Sequence, residues 1–195
     1  MAETDQALFI WLNGHTGTLN GLDISAKVLG SDYAMPVIFG LVILSMWFFG
    51  NDPNDRMRHQ IGVFVTLTAI GIASWIVYGA NELYFRPRPF DSTIQDINLL
   101  LYEPTDSSFP SNSAAIAFAA AGGIWLVNRK CGLSLLGLAF AYGLARIYGG
   151  MHYPLDIVGG ATVGLLSVVI SHKLWKLIDP IPKILIRIAR IFCVA

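Results

Sequence analysis

The feature that most constrains this sequence is an apolar segment at residues 61–84, in which no charged residue occurs before Glu82. A helix needs about 20 predominantly apolar residues to cross the hydrocarbon core of a bilayer. Four further segments fit this requirement: residues 33–50, 114–127 (extended at the start by residues 111–113), 133–148 and 155–174. Only 13% of the 195 residues are charged, about half the roughly 25% of a soluble domain. The pattern predicts an integral membrane protein and excludes a disordered chain or a nucleic-acid binder with a basic surface.

The expected fold is therefore all-α, a single membrane domain over residues 1–195 with five to six transmembrane helices. Residues 1–30 contain shorter apolar runs, which predict interfacial or re-entrant helices and leave a sixth span open. In the tail, residues 181–195, the cations Lys183, Arg187 and Arg190 recur at helical spacing opposite apolar residues. This spacing predicts an amphipathic helix on an anionic leaflet.

The distribution of lysine and arginine predicts the orientation of the spans. Basic residues concentrate in residues 51–60, in residues 128–132 and after residue 172, and five alternating spans place all three regions on one side. By the positive-inside rule this side, with the C-terminus, is cytoplasmic. The loop at residues 85–110 is then outside.

Polar side chains from four segments should meet at the outer ends of these spans. Burying many charges near hydrocarbon is costly unless they pair or bind a ligand. Three guanidiniums and several donors at a helix N-terminus predict a pocket for a phosphate group. The residues concerned are Arg86 and Arg88 after the second span, Ser111, Asn112 and Ser113 at the start of the third, Arg146 at the end of the fourth, and His152 and Asp156 around the start of the fifth.

The spacing of His152 and Asp156 predicts a nucleophile with its orienting group. A carboxylate hydrogen-bonded to one imidazole nitrogen fixes the tautomer and leaves the other nitrogen free to attack phosphorus. Pro154 suits the first turn of a helix that would hold Asp156 close to His152. Attack would form a phosphohistidine that water hydrolyses. Because arginines can neutralise the phosphate oxygens, the sequence predicts chemistry without a metal or other cofactor.

Three motifs resemble those of the type 2 phosphatidic acid phosphatase superfamily. They are Arg88-Pro89, Pro110-Ser111-Asn112, and Arg146 followed by His152 and then Asp156 with the family's spacing. The resemblance covers roughly residues 33–175, which would form the phosphatase core of a membrane lipid phosphatase. It implies that His152 is the nucleophile and that Asp156 orients it. It also implies that the phosphate is held by Arg88, Arg146 and Ser111, and we add Asn112, Arg86 and Asn81 as further candidates.

Two positions depart from the family pattern. The family lysine falls on Asn81, where the neighbouring Arg86 could supply the charge, and the histidine that acts as general acid falls on Ser113. A serine hydroxyl has the wrong pKa for that task, and general-acid help is worth about 10²–10⁴-fold. Ser113 is therefore consistent with a diphosphate specialist, a natural pseudoenzyme or a substitution introduced to trap ligand, and we favour the last.

The resemblance predicts hydrolysis of a lipid phosphate or diphosphate, with the lipid tail in the bilayer and no nucleic-acid partner. We favour a polyprenyl diphosphate such as undecaprenyl diphosphate, because an outward-facing site in a bacterial cytoplasmic membrane suits recycling of that carrier. Phosphatidylglycerophosphate, phosphatidic acid, a lipid A phosphate and phosphate transfer between lipids are alternatives. A non-catalytic lipid-phosphate binder is another: Asn81 and Ser113 favour it, whereas His152 and Asp156 oppose it.

Overall fold

The computed structural model describes residues 2–92 and 97–191, and every regular element in those residues is helical. The all-α prediction is confirmed, while the last residues of the predicted amphipathic tail, 192–195, lie outside the described residues. A short 3₁₀ turn, Pro89–Asp91, follows the fourth helix. In chain order the helices are α1 (Ala2–Asn13), α2 (Asn20–Leu29), α3 (Ala34–Phe48), α4 (Pro53–Leu83), α5 (Asn112–Trp125), α6 (Arg129–Tyr148), α7 (Pro154–Leu177) and α8 (Ile181–Ile191).

Helix α5 lies at the centre of the bundle and packs against α4, α6 and α7. Alanines and glycines dominate its sequence, and nine of its 14 residues are buried. Two glycines of α7 permit a close approach: a Cβ on Gly160 would lie 2.3 Å from the carbonyl oxygen of Ser111, and one on Gly164 would lie 2.4 Å from that of Ala115. Small residues at such a contact let helix backbones pack closely. The contact brings the N-termini of α5 and α7 together.

Fewer helices pass a test of length and hydropathy for crossing a membrane than the five to six spans predicted. Among the described residues, three helices (α4, α6 and α7) are long and apolar enough to cross a membrane, and α2 with α3 makes a fourth if the pair, bent by 50°, is one span. The predicted five to six spans counted the α5 segment by its composition. That helix is only about 21 Å long at 1.5 Å per residue, and its buried surface faces other helices.

The N-terminal helices pack on one end of the bundle. Phe9 of α1 is fully buried beside Tyr153. Asn13, at the end of α1, donates two 2.8 Å hydrogen bonds from Nδ2, to the carbonyl oxygens of Asn98 and Tyr148. This end, where α4 and α6 finish and α5 and α7 begin, is called the site end below.

The basic segments gather at the opposite end. Arg58, Val127 and His172 line one cavity there, and Phe64 of α4 stacks on Trp175 of α7 with ring centroids 5.2 Å apart. The polar residues singled out as chemical candidates are thus separated from the main concentration of lysines by the length of the bundle.

Candidate active site

A cavity of about 270 Å³ opens at the site end of the bundle. Its wall combines charged and polar side chains with an apolar part contributed by α3, α5 and α6. The predicted convergence is largely observed, because segments following α4, starting α5, ending α6 and preceding α7 all reach it. The lining residues are Asp32, Pro36, Phe39, Arg88, Tyr102, Asp106, Asn112, Ser113, Ile116, Ala117, Tyr142, Arg146 and His152.

His152 lies in the short connection between α6 and α7, and its side chain is only 2% exposed. Its Nδ1 is 3.1 Å from the backbone oxygen of Ser108, which accepts a hydrogen bond from an Nδ1–H tautomer. Its Nε2 is 3.2 Å from Nη1 of Arg88 and 3.3 Å from Oγ of Ser111. Burial lowers the pKa of His152 to about 4. The imidazole is therefore neutral near pH 7, with the Nε2 lone pair turned toward the arginine and the cavity.

Asp156 reaches His152 through an intermediary, which corrects the predicted direct hydrogen bond. The nearest carboxylate oxygen, Oδ2, is 3.8 Å from Nδ1 of His152, too far for a hydrogen bond. Ser108 lies between them, with its Oγ donating to Asp156 at 2.5 Å and lying 3.4 Å from the imidazole. Asp156 Oδ2 also accepts the backbone N–H of Tyr153 at 2.8 Å, at the start of α7. Ser108 was not predicted, because several serines precede α5 and none stands out by spacing.

Two guanidiniums face the cavity, and each is paired with a carboxylate. Arg88 donates from Nη2 to Oδ1 of Asp106 at 2.8 Å and from Nη1 to the backbone oxygen of Met151 at 3.0 Å. Arg146 donates from Nη1 to Oδ1 of Asp32 at 2.5 Å. Its buried Nε has no hydrogen-bond partner within the described part of the chain. Both arginines line the cavity, and neither acidic partner was singled out from the sequence.

Arg86 does not line this cavity, so the structure brings two of the three predicted guanidiniums to it. Its Nη1 donates to Oδ1 of Asp156 at 2.5 Å and its Nη2 to Oδ2 of Asp5 at 2.7 Å, while its Cζ lies 4.3 Å from the ring centroid of Tyr153. Burial lowers the pKa of Arg86, but the two carboxylates raise it more, so the net shift is upward. The guanidinium is held between the carboxylates of Asp5 and Asp156.

The remaining candidates divide between the cavity and its surroundings. Asn112 and Ser113 line the cavity wall, and Ser111 contacts His152 and begins α5 as its N-cap. Asn81 instead lines a neighbouring groove along α4, which meets the cavity at Asp106 and Asn112. Asn81 is therefore in the lining of the groove and not in that of the cavity, because α4 carries its side chain there.

Two guanidiniums beside a neutral imidazole suit a phosphate group, and the apolar part of the cavity wall suits the lipid tail of an amphiphilic phosphate. Residues 61–178 match the PAP2 superfamily, and the chain belongs to this family. The resemblance inferred from the motifs is thus confirmed, and the protein is an integral membrane lipid phosphatase.

Known relatives extend this assignment along most of the chain. It is 30% identical over 178 residues to the undecaprenyl-diphosphatase BcrC of Bacillus subtilis (strain 168), covering 91% of this chain and 86% of the relative. It is 32% identical to the bacitracin transport permease protein BcrC of Bacillus licheniformis, over 71% of each chain.

Two solved structures are also similar. Aquifex aeolicus LpxE superposes with a TM-score of 0.68 at 29% identity, covering 86% of this chain and 94% of that one. The first transmembrane PAP2 type phosphatidylglycerolphosphate phosphatase from Bacillus subtilis has a TM-score of 0.63 at 19% identity, covering 92% and 88% respectively. The second similarity concerns the fold alone.

Proposed function

We propose that the protein removes the terminal phosphate of a polyprenyl diphosphate, with His152 as the nucleophile. The observation that carries the proposal is the Nε2 of a neutral, buried imidazole within hydrogen-bonding distance of Arg88 and Ser111. The relatives named undecaprenyl-diphosphatase or BcrC support the choice of substrate class.

In the first step Nε2 of His152 attacks the terminal phosphorus, and the bond between phosphorus and the bridging oxygen breaks. The bridging oxygen keeps the bonding electrons and leaves as polyprenyl monophosphate. Arg88 and Arg146 stabilise charge on the transferred phosphoryl oxygens. The positive charge that forms on the imidazole is offset by Asp156 acting through Ser108. Water then attacks phosphorus, and the bond between phosphorus and Nε2 breaks with its electron pair returning to the ring. Inorganic phosphate departs with both protons of the water, and the neutral Nδ1–H imidazole is restored.

Ser113 supports a diphosphate substrate. It lines the cavity at the position where the family pattern has a histidine, and a hydroxyl cannot protonate a leaving alkoxide efficiently near pH 7. A phosphate leaving group is stable as an anion and does not need that proton. Together with the relative named undecaprenyl-diphosphatase, which the sequence alone did not reveal, this reasoning favours the diphosphate specialist over an introduced inactivating substitution or a pseudoenzyme, and it disfavours phosphatidic acid as a substrate.

The charge distribution supports a location in a bacterial cytoplasmic membrane with the site facing the periplasm. Arg58 lies at the end of the bundle opposite the site, on a cavity shared with His172, and Lys176 adjoins it. The positive-inside rule places that end, and with it α8, in the cytoplasm.

Phosphate release by the purified protein tests the proposal. Undecaprenyl diphosphate, phosphatidic acid and phosphatidylglycerophosphate are compared in detergent with EDTA present and with His152→Ala as the control. We expect the diphosphate to turn over at least 10²-fold faster than either monoester, because general-acid help has that magnitude. Ser113→His should accelerate monoester hydrolysis much more than diphosphate hydrolysis.

Three outcomes would contradict the proposal. Loss of turnover in EDTA would contradict the metal-independent mechanism, and equal activity of His152→Ala would exclude the nucleophile. Tight binding of diphosphate without phosphate release would favour the non-catalytic binder.

A further inference from the structure

The N-terminal helix places a buried carboxylate directly behind the catalytic residues. The side chain of Asp5 in α1 is 1% exposed, and both of its oxygens are used. Oδ1 accepts the backbone N–H of Leu155 at 2.9 Å, and Oδ2 accepts Nη2 of Arg86 at 2.7 Å. A buried carboxylate is costly unless it is paired and hydrogen-bonded. Its two partners, 81 and 150 residues away in sequence, therefore define a specific junction between α1 and the start of α7.

Arg86 connects this carboxylate to Asp156. One guanidinium nitrogen binds Asp5 and the other binds Oδ1 of Asp156, and the face of the group lies over Tyr153. With both ends and one face held, the guanidinium has a single orientation. The second oxygen of Asp156 accepts the Ser108 hydroxyl. A continuous set of contacts thus runs from α1 to the imidazole.

We propose that Asp5 is a positioning residue of the active site, acting through Arg86 to fix the orientation of Asp156 and hence of His152. The inference rests on the proposed function, in which His152 is the nucleophile. Asp5 does not line the cavity, so it should not contact substrate. Its loss should therefore lower kcat and leave KM unchanged. A misplacement of about 1 Å at a reacting group can cost 10²-fold, and we expect a loss of about tenfold because Arg86 keeps its second partner.

The kinetic test compares Asp5→Asn with Glu3→Gln, which removes one carboxylate from the exposed face of the same helix. We expect Asp5→Asn to lower kcat for a polyprenyl diphosphate about tenfold with KM within twofold of wild type, and Glu3→Gln to change neither. In an Arg86→Gln background the Asp5→Asn change should cost less than about twofold, because residues acting through one contact are not additive. If Asp5→Asn does not fold, Asp5→Glu, which keeps the charge and displaces it by one methylene, should show the same loss of kcat alone.

A measurement independent of turnover separates this inference from the proposed function. In ¹⁵N-histidine NMR, the His152 signal should report the Nδ1–H tautomer in wild type and in Glu3→Gln. It should shift or broaden in Asp5→Asn, or in Asp5→Glu if the asparagine variant does not fold. An unchanged His152 signal, an unchanged kcat in active enzyme, or fully additive losses with Arg86→Gln would overturn the role of Asp5. Equal turnover by wild type and His152→Ala would instead overturn the nucleophile assignment.

Discussion

Replacing Asp106 with asparagine should tighten the binding of the anionic substrate. The two cavity arginines carry two positive charges, and Asp106 and Asp32 carry two negative ones, while the buried His152 is neutral. The cavity wall therefore has no net formal charge, although its ligand is a polyanion. A phosphoryl group that binds Arg88 must compete with the carboxylate of Asp106, which sits in a loop and is 57% exposed.

The size of the effect follows from the distance between like charges. Oδ1 of Asp106 is 2.8 Å from Nη2 of Arg88, so a phosphate oxygen on the same guanidinium would lie about 5 Å from the carboxylate if both remained. Two like unit charges at that separation repel by about 0.8 kcal/mol in water, and more beside a protein wall. Because Asp106 is largely solvated, we take the repulsion between its carboxylate and a bound phosphoryl group as about 1.4 kcal/mol. Removing that repulsion corresponds to a tenfold change in affinity. Asparagine keeps an oxygen for Arg88, so the fold should be little affected.

The assay measures KM for a polyprenyl diphosphate and the inhibition constant of inorganic phosphate at low ionic strength. Both should fall about tenfold in Asp106→Asn. Glu103→Gln is the matched control, because it makes the same charge change at an exposed position of the same loop. The difference between the two variants should shrink as salt is added, since exposed charges are screened.

Two results would refute this reasoning. If Asp106→Asn and Glu103→Gln lower both constants equally, the effect is one of general charge and not of competition at Arg88. If Asp106→Asn raises both constants while the protein stays folded, the carboxylate assists phosphate binding. It would then not compete with the phosphate for Arg88.

Three further predictions concern His152 as the proposed nucleophile. Because burial lowers the pKa of His152 to about 4, kcat/KM should fall on the acid side near pH 4. A fall near pH 6.5 that disappears in a His152 variant would contradict a buried imidazole with a lowered pKa. The same lowered pKa links folding to pH. The contribution of His152 to the free energy of unfolding is fully present above pH 6.5 and is lost as pH falls toward 4, because the histidine binds a proton in the unfolded chain before it does so in the folded one. The thermal midpoint of wild type should therefore fall more over this range than that of His152→Gln. Ser108→Ala removes the hydroxyl that links Asp156 to the imidazole but keeps the backbone oxygen that accepts Nδ1–H. We expect kcat to fall about tenfold, far less than in His152→Ala. An unchanged kcat would show that the hydroxyl is not needed.

Hydropathy and span alternation predicted part of the site. Once apolar segments of membrane-crossing length are placed in order, their outer ends must share one face, so Arg88, Arg146 and His152 were expected together and are found together. The lengths of the helices were less predictable, since composition does not fix where a helix ends, and α5 has only 14 residues. Asp5 could not have been assigned, because its contact with Leu155 spans 150 residues and α1 carries no motif that specifies where it docks.

The divergence of Arg86 and Arg88 has a local cause in the sequence Arg86-Pro87-Arg88-Pro89. A residue before proline is disfavoured in the α region, and proline itself has a fixed φ, so this segment favours polyproline II backbone. Arg88 has φ −73° and ψ 160°, as that conformation requires. With three residues per turn, side chains two positions apart point about 120° away from each other. The two guanidiniums therefore point to different surroundings, and the alternating prolines separate Arg88, which lines the cavity, from Arg86, which binds Asp156.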